Sequence, residues 1–328
     1  MYLRRLYRKR WLGIPGDYWL LIGLALVLLL IVPRLATPNL LTILILANIW
    51  AMLAMSWDIL SGYTGQISFG HSFFFGIGGY TSGLLALYLK LSPWLTIWLG
   101  GLAAAIGGLL IALPALRLRG PYLALITLLA ALVADRVARF LRIETAGAEG
   151  ALYGIPPLSF SWTDNYYYST GLMLLVALFL ITVARSKMGE VFEAIRDDEE
   201  AAGAAGLNTA KFKILAFAIS GFVAGLSGAF LAHYMMIVSP RQHFDLDLSV
   251  EAIIAAVLGG MGTITGPIAG GYFLVLIREY LRPFGVWRVF ALTVLTLLVL
   301  FFLPRGFWTE LRIRLAQLWT KSFAGKRA

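Results

Sequence analysis

Few side chains in this sequence are placed to perform nucleophilic or acid–base chemistry. The chain contains three histidines and no cysteine, which excludes thiolate metal sites. The stretch GLSG places Ser227 among small residues, where a serine with a histidine base could catalyse acyl transfer. On a helix, His233 would lie about 9 Å from Ser227 along the axis and be turned away by about 120°, while His71 or His243 could reach it only through the tertiary structure. The sequence also lacks the metal-binding motif H-E-x-x-H, so these residues disfavour a membrane-embedded enzyme.

A second set of polar residues is concentrated in one segment, residues 185–213. It holds eleven of the chain's 44 charged residues, which are 27 basic and 17 acidic, and it is otherwise rich in Ala and Gly. Ala, Glu and Arg are good helix formers, and the apolar positions follow a helical period, so two short helices are predicted. A surface of Ala and Gly supplies no acid, base or nucleophile but allows close approach. The segment is therefore predicted to dock a partner.

The elements that hold these residues are predicted from composition. Hydrophobic residues make up 60% of the chain and charged residues 13%, against about 45–50% and about 25% in soluble domains. Apolar runs long enough to cross a bilayer recur throughout residues 18–303. The predicted fold is all-α, a polytopic membrane protein with about ten (eight to ten) transmembrane helices. The net charge of +10 lies mainly at the chain ends and beside the apolar runs, where it is expected to meet anionic lipid, not nucleic acid.

Charge bias predicts the orientation of the chain. The positive-inside rule places the basic N-terminus (1–17), expected to be retained and not cleaved, and segment 185–213 in the cytoplasm, with loops 142–165 and 239–251 outside. The basic tail (304–328) is predicted to be cytoplasmic, which requires ten spans; nine would place it outside. The predicted spans are 18–32, 39–60, 67–89, 94–116, 121–141, 166–184, 214–238, two short spans within 250–281, and 286–303.

Two glycine-rich stretches interrupt the spans. SGYTGQISFGH begins at a predicted cytoplasmic turn, and LGGMGTITGP divides residues 250–281. Non-helical backbone is tolerated at membrane depth where protein or a water-filled cavity covers it, which favours a translocation pathway; the competing explanation for each single glycine is close packing between helices. The candidate pathway residues are Gly62, Gly65, Gln66, His71, Gly260, Gly262, Thr263 and Gly266.

Several stretches resemble the LivM-type permeases of branched-chain amino-acid ABC importers, in the family's order, from about residue 40 to residue 306. The sequence departs from the family's pattern at Asp58, where Asn is more common. The segment EAAGAAG has the E-A-A-x-x-x-G spacing of the family's coupling loop. The other resembling stretches are LSGYTGQISFGHSFFFGIGGYTSGLLA, LRLRGPYLALITL, VLGGMGTITGPIAGG, MGEVFEAIRDDEEAAGAAGLNTAKFKILAFAISG and LFFLPRG.

The resemblance implies a permease subunit in the bacterial cytoplasmic membrane that carries branched-chain amino acids or a related small polar solute. The implied partners are a second, LivH-like permease subunit, two cytoplasmic ATPase subunits and an external substrate-binding protein. This sequence contains no G-x-x-x-x-G-K-[ST] motif, so ATP, with Mg, would be bound by the ATPase subunits, and this chain would need no cofactor or metal. The implied coupling residues are Gly189, Glu193, Ala194, Glu200, Ala201, Ala202 and Gly206.

The alternative function is a self-sufficient secondary transporter or channel for a small solute. Proton or sodium coupling usually requires carboxylates in the middle of a span. Here acidic residues concentrate in loops, while Asp58 and Glu279 lie near span ends, where their side chains are expected to reach water. Such a transporter would also have no use for the charged segment, so the ABC permease is the favoured hypothesis.

Overall fold

The computed structural model describes residues 32–115, 121–140 and 150–285, together with isolated residues nearer the two ends of the chain. The predicted all-α class is confirmed, and most of the predicted spans 18–32 and 286–303 lies outside the described residues. The helices of six or more residues are α1 Pro38–Trp57, α2 His71–Tyr88, α3 Pro93–Ala115, α4 Pro121–Phe140, α5 Trp162–Arg185, α6 Lys187–Asp197, α7 Glu199–Ala204, α8 Thr209–Met235, α9 Leu246–Gly259 and α10 Thr265–Tyr280.

Shorter elements connect these helices. A π-helical turn, Asp58–Gly62, extends α1. The remaining short helices are Val32–Leu35, Pro240–His243 and the 3-10 turn Arg282–Phe284. Strand Arg10–Trp11 pairs antiparallel with Ile14–Pro15, and strand Leu152–Tyr153 pairs antiparallel with Ile237–Val238.

Four helices of the described residues are long and apolar enough to cross a membrane: Pro38–Gly62, Pro93–Pro114, Trp162–Arg185 and Thr209–Met235. Each coincides with a predicted span to within a few residues. The largest shift in a helix start among these four is at α8, which begins at Thr209 because the side chain of Asn208 accepts a hydrogen bond from the Lys211 N–H at 3.0 Å. The polar residues that precede the apolar run thus belong to the same helix.

The predicted break within residues 250–281 is confirmed. Helices α9 and α10 form an antiparallel hairpin, and their lengths of about 21 Å and about 24 Å are each shorter than the roughly 30 Å hydrocarbon core. At the open end of the hairpin, Arg278 of α10 donates to Glu251 of α9 at 3.0 Å. The hairpin tip, residues 260–264, contains positive φ angles at Gly260, Gly262 and Ile264, which prevents one continuous helix.

Helix α8 lies at the centre of the fold and packs on α1, α2 and α3. Small residues bring the backbones together: a Cβ at Gly228 would lie 2.0 Å from the Phe75 carbonyl oxygen of α2, and one at Gly225 would lie 3.1 Å from the Gly100 carbonyl oxygen of α3. The glycines of SGFVAGLSGAF therefore serve close packing between helices. Such contacts hold membrane helices together through van der Waals packing.

Candidate functional site

Segment 185–213 forms the two short helices predicted for it, α6 and α7, before α8 begins. The chain turns between them because Asp198 has extended backbone and caps α7: its carboxylate accepts hydrogen bonds from the Glu200 N–H at 2.9 Å and the Ala201 N–H at 3.0 Å. Beyond α7, Gly206 has φ +87°, which L side chains rarely adopt.

One face of the segment is anchored to the rest of the protein. Phe192 is buried and meets Phe212 of α8 edge to face, with ring centroids 6.3 Å apart. The Lys213 ammonium, buried at the start of α8, pairs with the Glu199 carboxylate at 2.5 Å. These contacts attach both short helices to the central helix, so the segment is a fixed platform and not a loose loop.

The other face is exposed and made mostly of small residues. Glu200, Ala201 and residues 203–206 are exposed, and we call this set the docking face. Of the other predicted coupling residues, Glu193 and Ala194 are half-buried, while Gly189 and Ala202 are buried. A Cβ at Gly189 would lie 2.1 Å from the Ala184 carbonyl oxygen, so this glycine serves close packing inside the chain.

Segment 185–213 also reaches the first glycine-rich stretch through Arg196 of α6. Arg196 Nη1 donates to the Gly62 carbonyl oxygen at 2.8 Å. A Cβ at Gly65 would lie 3.1 Å from Arg196 Cγ, and one at Gly262 would lie 3.3 Å from Arg196 Nη1. The guanidinium therefore lies where both glycine-rich stretches meet the charged segment.

Asp58, in the π-helical turn, binds the tip of the α9–α10 hairpin. Its carboxylate accepts hydrogen bonds from three consecutive backbone N–H groups, those of Gly262 at 2.6 Å and of Thr263 and Ile264 at 3.2 Å each. The expectation that Asp58 reaches water is wrong, because the side chain is fully buried. Its position near the end of an apolar run suggested an exposed carboxylate; no local signal pointed to a partner 204 residues away.

The remaining candidate pathway residues lie in three places. Thr263 Oγ1 donates to the Gly260 carbonyl oxygen at 2.7 Å and accepts from the Gly266 N–H at 3.0 Å, which shapes the hairpin tip. Gln66 and Gly65 line a cavity of about 390 Å³ beside Arg196. His71 instead faces α8, with Nε2 3.0 Å from Ser220 Oγ. The cavity is lined by Thr64, Gly65, Gln66, Ile67, Leu123, Ile195, Arg196, Asp197, Asp198, Glu199 and Glu200.

At the other end of α2, two loops cover a row of glycines. The Phe244 ring packs against Gly76, the His243 ring against Gly79 and the Ile155 side chain against Gly83, where an added Cβ would lie 2.1, 2.6 and 2.9 Å from them respectively. We call residues 150–158 and 236–246 the outer cap. Burial lowers the pKa of His243 to about 3, so the imidazole is neutral.

Ser227 and His233, the residues that a membrane-embedded enzyme would have needed as nucleophile and base, have other partners. Ser227 Oγ donates to the Ala224 carbonyl oxygen at 2.7 Å. His233 lies 2.8 Å from Ser82 Oγ, 2.9 Å from Thr96 Oγ1 and 2.7 Å from the Pro156 carbonyl oxygen. The histidine therefore ties α8 to α2, α3 and the outer cap, as expected for a hydrogen-bonded packing residue.

Comparison with known proteins agrees with this architecture. The family model described as "Branched-chain amino acid transport system / permease component" matches residues 39–303, which include α1 to α10. The chain belongs to this family. It is a multi-pass permease subunit of an ABC importer in the bacterial inner membrane, and not an enzyme.

The chain aligns with known permease proteins over most of its length. It is 31% identical to the "High-affinity branched-chain amino acid transport system permease protein LivM" of Escherichia coli (strain K12), over 86% of this chain and 72% of that protein. It is 32% identical to LivM of Salmonella typhimurium, over 79% and 67%, and 28% identical to LivH of the same organism, over 78% and 90%. Similarity to both proteins indicates a multi-subunit system with a second permease. No solved structure matches the chain.

Proposed function

We propose that this permease carries branched-chain amino acids, or a related small polar solute, delivered by an external binding protein and driven by two ATPase subunits. The observation that carries the proposal is the platform of α6 and α7. Its inner face is fixed to α8 through Phe192 and Lys213, while its docking face is exposed and made mostly of Ala and Gly. A rigid platform with small side chains lets a partner's surface approach closely and transmits force, whereas a solvated linker would do neither.

The orientation of the chain supports the same proposal. Arg196 places segment 185–213 beside the hairpin tip, and a Cβ at Gly306, in the LFFLPRG stretch, would lie 2.4 Å from the Gly260 backbone nitrogen. The start of the basic tail and the charged segment therefore lie at the same end of the molecule. Charge bias favours a cytoplasmic position for the basic tail, and the charged segment at the same end would then also face the cytoplasm, where ATP is available to partner ATPases.

Docking is tested by substituting Gly206. Gly206→Arg places a long cationic side chain on the docking face, where a Cβ would meet nothing within 4 Å, and we expect it to abolish uptake of radiolabelled leucine by intact cells and co-purification of the ATPase subunits. Gly206→Ala introduces the same backbone strain at φ +87° without a bulky side chain. This variant should keep most of the leucine uptake and most of the co-purification of the ATPase subunits. Normal uptake by the arginine variant would contradict docking here.

Orientation is tested separately by labelling. The chain has no native cysteine, so Lys187→Cys gives one thiol at an exposed position of segment 185–213, outside the docking face. A membrane-impermeant maleimide should label this thiol in inverted vesicles and not in intact cells. Labelling in intact cells would place the segment outside, and leucine transport by the chain alone in liposomes would favour a secondary transporter.

A further inference from the structure

The hairpin tip is held by a single buried carboxylate. Three consecutive N–H groups at residues 262–264 converge on Asp58, as successive backbone N–H groups do at anion-binding concavities. Ile264 in this tip has φ +46°, an uncommon conformation for a β-branched residue. Because the side chain of Asp58 satisfies these three donors, it determines where the tip lies relative to the end of α1.

The same turn is held from the other side by α6. Gly62, whose carbonyl oxygen accepts from Arg196, belongs to the π-helical turn that Asp58 begins. A Cβ at Gly62 would lie 2.0 Å from Asp58 Oδ1 and 2.8 Å from the Gly262 nitrogen, so the turn and the tip are in direct contact. The cationic guanidinium and the buried carboxylate also attract each other across this turn.

We propose that Asp58 and Arg196 are positioning residues that form an inner latch, which makes the α9–α10 hairpin move together with the docking platform. The inner latch comprises Asp58, Gly62, Arg196 and residues 262–264. The inference rests on the proposed function, since the force on α6 comes from the docked ATPases. The side chain of Arg196 is 37% exposed at the platform, while Asp58 is fully buried. The latch therefore connects the membrane-embedded hairpin to a surface that a partner can move.

The first experiment is a double-mutant cycle in the whole importer, measuring leucine moved per ATP hydrolysed. Arg196→Ala and Asp58→Ala should each lower this ratio at least about tenfold, the scale expected for removing a hydrogen bond to a charged group, while the ATPase subunits still co-purify. If the two residues act as one unit, the double variant should be no worse than the worse single variant. Asp58→Asn, which keeps one acceptor oxygen, should retain part of the coupling.

The control is Lys187→Ala, which removes one positive charge from the exposed side of α6 and should leave the ratio unchanged. Parallel loss of uptake and ATP hydrolysis at a constant ratio, or losses that add in the double variant, would overturn the latch. Failure of the proposed function is distinguishable, because the unmutated importer would then hydrolyse ATP without moving leucine, or move leucine without ATPase subunits.

The second experiment measures the latch directly. Spin labels at Glu190→Cys on α6 and Met261→Cys at the tip occupy exposed positions in a chain without cysteine. In detergent, the label-to-label distance should be narrowly distributed, and Arg196→Ala should broaden it. In the importer, the distance should stay constant between the nucleotide-free and vanadate-trapped states. A distance that changes between these states in the unmutated protein, or one insensitive to Arg196→Ala, would overturn the proposal.

Discussion

The inner latch and the outer cap are held together by different physical means. The inner latch uses a buried carboxylate, a guanidinium and backbone N–H groups, so its stability depends on direction and charge. The outer cap uses the rings of Phe244 and His243 packed on Gly76 and Gly79, so its stability depends on volume. Hydrogen bonds to a buried charge are lost together once the charge moves, whereas a packed ring can shift by tenths of an ångström and keep most contacts.

This difference has a functional meaning. In the proposed mechanism, the inner end receives the force of the docked partners. A contact made by hydrogen bonds to charged groups transmits a displacement directly, because such bonds tolerate little change in geometry. In the same mechanism, the outer end admits solute delivered by an external protein, and packed side chains allow small, graded opening. The comparison predicts that one misplaced methyl group affects the two ends unequally.

The largest effect is expected from Gly62→Ala at the inner latch. The new Cβ would occupy the space of Asp58 Oδ1, 2.0 Å away, and displacing the carboxylate leaves three N–H groups without their acceptor, of which that of the buried Ile264 alone would cost about 1–3 kcal/mol. We expect leucine uptake to fall at least about tenfold. Gly171→Ala on α5, where a Cβ meets nothing within 4 Å, is the matched control; equal uptake by the two variants would contradict the latch.

A smaller effect is expected from Gly76→Ala at the outer cap. Its Cβ would lie 2.1 Å from the Phe244 ring, and the ring can shift, so we expect a loss of about 1–3 kcal/mol in the free energy of unfolding and faster proteolysis of the outer cap in spheroplasts. Phe244→Leu added to Gly76→Ala removes ring volume and should restore part of the loss. If the double variant is less stable than Gly76→Ala, packing at this site is wrongly assigned.

The smallest effect is a pH dependence from His243. Its pKa falls from 6.5 to about 3 in the folded protein because burial disfavours the charged ring, so the unfolded chain binds the proton first. The contribution of His243 to stability is nearly complete at pH 7.5 and falls as the pH drops through 6.5, by about 0.8 kcal/mol at pH 6. Thermal unfolding should show a decline between pH 7.5 and pH 6, and His243→Gln should make that decline smaller by this amount, since the two other buried histidines remain. An identical pH slope in the two proteins would contradict a neutral, buried His243.

Local patterns in the sequence predicted much of the architecture. The Ala- and Glu-rich segment 185–213 does form two helices, and the glycines and proline near residue 260 do break the span, because helix propensity and φ preference are properties of a few adjacent residues. Cytoplasmic docking on this segment, the pathway role of the glycine-rich residues and the ten-span count stay predictions.

Asp58 is the residue whose environment was predicted wrongly. Seen only along the chain, a carboxylate near the end of an apolar run is expected to reach water, and among eleven charged residues of one segment nothing marked Arg196 as different from its neighbours. Both roles arise from contacts made across the fold, with Gly62 lying 134 residues from Arg196 in the chain and Gly262 lying 204 residues from Asp58.

By itself, the sequence determined the membrane class, the broken hairpin and the two short helices of segment 185–213, because apolar length, helix propensity and glycine content act over one helix at a time. Only the tertiary structure decided which charge is buried, which glycine serves packing and which arginine joins the platform to the hairpin. The physical reason is that burial and hydrogen-bond partners depend on which segments helix packing brings together. The local sequence of one segment does not identify the distant segment that it will contact.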